Sequence, residues 1–179
     1  MLASDEGKRP TRIRRRDVLK AVAVALAGFA PDAYADNRVL IPNERKTAMT
    51  SRPLMTVQIA AAPPQKLGPV PHGIRSVVPV TGGDFEGPRL RGRVLPGGGD
   101  WLLLRPDGVL ELDLRITLET DDHALIYMTF QGLRHGSYFR TLPRFETSTE
   151  SYAFLNRIIC VGVGEARPDG AVHRIDEIL

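Results

Sequence analysis

The sequence predicts an all-β fold, a small antiparallel barrel, on three observations. Apolar residues recur with period two rather than 3.6. The 17 glycines and 14 prolines fall largely in short breaks between apolar runs. Beyond the first 35 residues, nothing reads as a helix except a turn around Tyr152–Leu155. Many short strands with glycine and proline turns make a barrel or a sandwich, and the long alternating strands favour the barrel.

In chain order, residues 1–35 predict a targeting segment. Arg15-Arg16-Asp17-Val18-Leu19-Lys20 leads into the apolar run Ala21–Ala30 and then Ala33-Tyr34-Ala35, a pattern that resembles a twin-arginine (Tat) signal with a peptidase site after Ala35. The expected mature start is Asp36, in the periplasm or outside the cell, with the Tat export machinery as a transient partner. The continuous apolar stretch is about a dozen residues against the ~20 that cross a bilayer, so no stable membrane anchor is expected after cleavage. Residues 36–53 are polar and unpatterned and read as a linker or arm, leaving 54–179 as one domain.

The leader also carries the charge. The whole chain has a formal charge of +3, but residues 1–35 hold seven of its 24 Lys+Arg and four of its 21 Asp+Glu. The remainder has 17 of each and is neutral, so nothing points to a nucleic-acid partner. Cys160 is the only cysteine; it excludes an internal disulfide and, within Ile158–Val163, reads as a buried, inert thiol.

The domain's strands follow. Leu54–Ala62, Ser76–Val80 and Leu90–Leu95 come first. Trp101–Arg105 then turns through Pro106-Asp107-Gly108 into Val109–Thr120, where Leu110, Leu112, Leu114, Ile116 and Leu118 alternate with Glu111, Asp113, Arg115, Thr117 and Glu119. Asp121-Asp122-His123 turns into Ala124–Phe130, completing a meander. Asn156–Val163 and Val172–Ile178 close the list. Either face of the Val109–Thr120 strand can be the interior, so its charged row is either solvated surface or the lining of a polar lumen.

Two glycine-rich loops, Thr81–Pro88 and Leu95–Trp101, lack the Gly-Lys-Ser/Thr ending of a phosphate loop and the strand–helix setting of a dinucleotide turn. They carry a family pattern instead. Gly73-Ile74-Arg75, Pro79-Val80-Thr81-Gly82-Gly83, Phe85-Glu86-Gly87-Pro88-x-Leu90-x-Gly92, Pro96-Gly97-Gly98-Gly99-Asp100-Trp101, Arg105-Pro106-Asp107-Gly108 and Phe145-Glu146-Thr147 resemble the DUF3237 (UPF0311) family, with Tyr138–Thr141 and Leu155–Arg157 in keeping. The resemblance implies a lipocalin-like antiparallel barrel and implies no activity. Asp121-Asp122-His123 stands where the family usually has Asp-Gly, Phe154 stands where a Trp is common, and the segment between Gly132 and Tyr138 is short.

The candidate site residues follow from their chemistry. Asp113 and Arg115 share a strand face and can pair, and an arginine so held suits an anionic or carbonyl ligand. Trp101 and Arg75 are candidate ligand contacts near a barrel end. Glu146 beside Phe145 is the candidate proton donor or acceptor, with Tyr138 or Arg75 stabilising developing negative charge. The four histidines have no metal-ligand spacing and no serine lies in a nucleophile elbow, so no metal and no cofactor are expected. The main expectation is a barrel that binds a small organic molecule in its lumen or mouth. The alternative is a cofactor-free acid–base enzyme, an isomerase, hydratase, dehydratase or cyclase, acting on a small cyclic or aromatic compound. An assembly module built on barrel edges, with self-association, is a third reading.

Overall fold

The computed structural model describes residues 48–179. The signal segment 1–35 and the arm as far as residue 47 lie outside the described residues. Ten strands follow in order: β1 (Ser51–Ala61), β2 (Gln65–Val70), β3 (Gly73–Glu86), β4 (Arg91–Val94), β5 (Gly99–Leu104), β6 (Leu110–Thr120), β7 (Leu125–His135), β8 (Tyr138–Glu146), β9 (Cys160–Arg167) and β10 (Gly170–Ile178). A 3-10 helix, Glu150–Arg157, lies between β8 and β9.

All pairings are antiparallel, and they close into an eight-stranded barrel. The two extra strands come from interruption rather than insertion. β1 and β2 run one after the other along β3, with Thr56↔Glu86 at one end and Val70↔Gly73 at the other. Likewise β4 and β5 occupy one position between β3 and β6, broken by Leu95–Gly98. Each remaining strand pairs with its neighbour in sequence, and β10 returns to β1. The result is an up-and-down barrel whose weakest seam is β8–β9, paired only at Arg140↔Val163 and Thr141↔Gly162.

Alternation decides what faces inward. Leu112, Leu114, Ile116 and Leu118 of β6 are buried in the core with Ile126, Met128 and Phe130 of β7. Their odd-numbered neighbours on β6, Asp113 and Arg115 among them, point outward, so the charged row is barrel exterior. The expected β5–β6 hairpin forms: the Gly108 N–H donates to the Arg105 carbonyl at 3.0 Å and Gly108 has φ +83°. In the next turn His123 takes φ +66°, the left-handed conformation a glycine adopts more easily.

Strand extents differ from expectation at several places, and β7 runs on past Phe130 to His135. β1 starts at Ser51, and β3 continues from Val80 to Glu86. β2 and β8 are strands that alternation does not announce, because Gln65–Val70 contains Gly68 and Pro69, and the inward row of β8 includes Thr141 and Pro143. The 3-10 helix takes residues 156 and 157, so the next strand begins at Cys160.

The barrel ends differ. At one end the 3-10 helix inserts Leu155, 1 % exposed, into the hydrophobic core. Asn156 and Thr147 hold the helix there by two reciprocal side-chain to backbone bonds of 2.9 Å. Above it Glu177 accepts from Arg52 at 2.8 Å and from Arg89 at 2.7 Å, and Arg89 stacks on Phe154 at 4.0 Å. Cys160 is buried in this core, and burial pushes its thiol up to about 11, as an inert thiol requires. Among the described residues no helix lies at the opposite end.

Candidate functional site

At the end away from the 3-10 helix the lumen narrows to a cavity of about 150 Å³. Its walls are aliphatic and aromatic: Ile59, Val80, Leu102, Leu114, Phe130 and Phe139 among them. Three polar side chains reach it from three strands, Asp100 on β5, Arg134 on β7 and His173 on β10.

Asp100 is placed by a gap in the sheet. The β5–β6 register runs through Asp100↔Leu114 and resumes only at Leu103↔Glu111. In the gap the Asp113 N–H donates to Asp100 Oδ1 at 2.9 Å, so a side chain replaces a missing ladder bond. Burial raises this carboxyl to about 6, the Asp113 N–H opposing the rise. The group therefore exchanges a proton near neutral pH, as a general acid or base must.

His173 is 1 % exposed. Its ring lies 4.8 Å from that of Phe130 and 5.0 Å, edge to face, from that of Phe139. Gly164 permits this packing, because a Cβ there would sit 2.6 Å from the Phe139 ring. Burial lowers the imidazole to about 4, so it is neutral at neutral pH. Its Nδ1 has no hydrogen-bond partner, and neither does Thr141 Oγ1; these are the two such buried side-chain atoms among the described residues. An unpartnered buried polar atom costs about 1–3 kcal/mol. Arg134 is half-buried, with its guanidinium 5.7 Å from the Phe139 ring centre.

The six residues singled out from sequence lie elsewhere. Arg75, Trp101, Asp113 and Tyr138 do converge, but around a depression of about 730 Å³ on the outside of the barrel. Arg115 joins them from the side: it pairs with Asp113 at 3.0 Å and stacks over Trp101 at 5.0 Å. Trp101 is thus a surface platform, 37 % exposed, and no plug of the barrel. Glu146 stands apart from both places, exposed on the last residue of β8 opposite Tyr127 near the plugged end.

Asp100 and His173 were each within sight of the sequence. Asp100 closes the glycine-rich Pro96–Asp100 run and has the parity of Leu102, and His173 has the parity of the buried Ile175. A titratable residue on an apolar face was the available signal, and it needed the inward face to be known. Among the described residues, no group of three or more His, Cys, Asp or Glu side chains is placed to hold a metal ion.

Comparison with known proteins agrees with this architecture. A UPF0311 protein of Rhodopseudomonas palustris is 32 % identical over 130 residues, covering 63 % of this chain and 85 % of its own. The crystal structure of a β-barrel-like protein from Acinetobacter baumannii superposes with a TM-score of 0.73 at 32 % identity, over 76 % of this chain and 100 % of that one. An enzyme from Penicillium herquei has the same fold, with a TM-score of 0.67 over 76 % of this chain and 99 % of its own, at 23 % identity. The family described as a protein of unknown function, DUF3237, matches residues 49–138 and 135–178. Barrel, relatives and these matches together place the chain: it belongs to the DUF3237 family.

Proposed function

We propose that this protein is an exported barrel that binds a small organic molecule in the open end of its lumen. One observation carries the reading: an ionisable carboxyl and an unpartnered neutral imidazole share an otherwise apolar cavity of about 150 Å³. Such a site buries the ligand's apolar body and orients it by few polar groups. The cavity is of the order that admits a benzene-sized body. Asp100 supplies an acceptor, or a donor when protonated, His173 Nδ1 a further partner, and Arg134 a cation at the rim.

A second reading, cofactor-free acid–base catalysis in the same cavity, draws on Asp100 in particular. Burial has moved its carboxyl to about 6, where it can take a proton from carbon or oxygen and return it. Neutral His173 then polarises the oxygen on which charge develops. This puts proton transfer on Asp100 rather than on exposed Glu146. That the fold is shared with an enzyme from Penicillium herquei is consistent with it.

Incubation of the protein with a fractionated host extract, followed by native and small-molecule mass spectrometry, separates the two. One unchanged compound retained at fixed stoichiometry supports the binder. Depletion of one mass with growth of another, abolished in Asp100→Asn while the compound still binds, supports the enzyme. No retention and no turnover defeat both.

Export rests on Arg15-Arg16 and Ala33-Tyr34-Ala35. The exported form is expected to begin at Asp36, and the double change Arg15→Lys, Arg16→Lys to leave the full chain in the cytoplasm. N-terminal sequencing after cell fractionation tests both, and unimpaired export of the double variant would remove the Tat assignment.

A further inference from the structure

The outer depression beneath Trp101 has a charge balance that the lumen reading does not use. Its two carboxylates already have arginine partners, Asp113 with Arg115 at 3.0 Å and Glu111 with Arg105 at 3.4 Å, the latter shared with Asp107. Its two arginines differ. Among the described residues Arg75 and Arg140 make no ion pair; Arg75 donates to the Trp101 carbonyl at 2.9 Å and Arg140 to the Phe139 carbonyl at 3.0 Å. Each guanidinium has five N–H donors in a planar fork, and one bond to a carbonyl leaves most of them free. The wall between them is apolar and open, with Leu133 45 % and Leu142 61 % exposed beside Trp101 and Val161.

From this we infer a second binding site, on the outside of the barrel, for a small organic carboxylate. Arg75 and Arg140 stand in one register row on β3 and β8, at opposite sides of the depression; the carboxylate meets the fork of one of them, and the apolar body lies between them along Trp101 and Leu142. A depression of about 730 Å³ is within the range of small-molecule pockets, about 300–1,000 Å³. Charge selects the class of ligand: two uncompensated cations against partnered carboxylates favour an anion, and the fork geometry favours a planar carboxylate. Arg140 already lies over the Tyr138 ring at 4.9 Å and Arg75 is bonded to the Trp101 carbonyl, so less side-chain freedom is lost on binding. The site shares no polar side chain with the lumen cavity.

Trp101 is the only tryptophan of the chain, so its fluorescence reports on this site directly. The full chain is titrated with octanoate and, separately, with octanamide, at several protein concentrations. The expected result is a saturable Trp101 response to octanoate, with octanamide at least about tenfold weaker. The double variant Arg75→Gln, Arg140→Gln is expected to lose about tenfold or more in octanoate affinity, whereas Ala171→Phe, which fills the lumen cavity, retains it. Circular dichroism of each variant verifies that the barrel is intact. Equal responses to acid and amide, or an unaffected double variant, overturn the proposal. So does a Trp101 signal that follows protein concentration and ignores octanoate, the mark of a second copy of the chain seated on this face.

Discussion

Asp100 and His173 are opposite charges of the same problem, and their titrations oppose each other. The Asp100 carboxyl is raised from 3.8 to about 6 by burial, so the folded state holds its proton more tightly and stability from this group is lost as pH rises from about 4 to 6. His173 is lowered from 6.5 to about 4 by burial, so the unfolded state binds the proton more tightly and stability is regained as pH rises from about 4 to 6.5. Each shift corresponds to roughly 3 kcal/mol, and the two largely cancel in the wild type. Single variants separate them. Asp100→Asn, which keeps the acceptor for the Asp113 N–H, is expected to gain roughly 3 kcal/mol between pH 4 and 6.5. His173→Phe is expected to lose a similar amount over pH 4 to 6. Urea unfolding at a series of pH values measures both; parallel profiles for wild type and variants would show that neither group is buried as described. At neutral pH His173→Phe also removes an unpartnered nitrogen, and a gain in stability there would identify the imidazole as kept for a ligand rather than for the fold.

At the scale of elements, β1 is the closing seam, and it is drawn tight by glycines on both sides. A Cβ on Gly83 of β3 or on Gly170 of β10 would run into the carbonyl oxygens of Gln58 and Ile59. Gly170→Ala is therefore expected to cost at least about 2 kcal/mol, through backbone displacement rather than lost burial. Leu155→Ala unplugs the closed end and is expected to cost about 2–5 kcal/mol. Both are read as shifts of the urea midpoint with little change in slope, and a near-neutral Leu155→Ala would mean that the 3-10 helix does not seal the barrel.

What the sequence reveals and conceals is also decided at this scale. The meander from β5 to β7 is legible because five branched or leucine side chains alternate with polar ones in β6, a pattern only a strand satisfies. β8 is concealed because two of its inward residues, Thr141 and Pro143, are not apolar strand formers, although both are buried. The six candidate residues were chosen from chemistry without knowing the inward face. Four of them, Arg75, Trp101, Asp113 and Tyr138, line one depression, on the outside of the barrel rather than in its lumen. Period two gives two faces and no sign, and only closure of the barrel says which is dry.

The barrel of residues 48–179 carries the 3-10 helix at one end, and at the other a largely apolar cavity with three polar side chains. The lumen cavity and the depression at Trp101 lie on either side of one wall, where Leu112 borders both and the Asp113 backbone bonds Asp100 inward while its side chain bonds Arg115 outward. Family membership and the barrel are established by sequence and structure together; the proposed function rests on the lumen. The central claim is that the open end of the lumen takes a small molecule. Ala171→Phe tests it most directly, because Ala171 borders the cavity and carries no polar group of the site. Wild type and variant are exposed to the same host extract and compared by native mass spectrometry. The expected result is a bound small molecule on the wild type that is absent from the variant. Retention of the same compound at the same stoichiometry by an intact Ala171→Phe barrel would contradict the account and move the ligand out of the lumen.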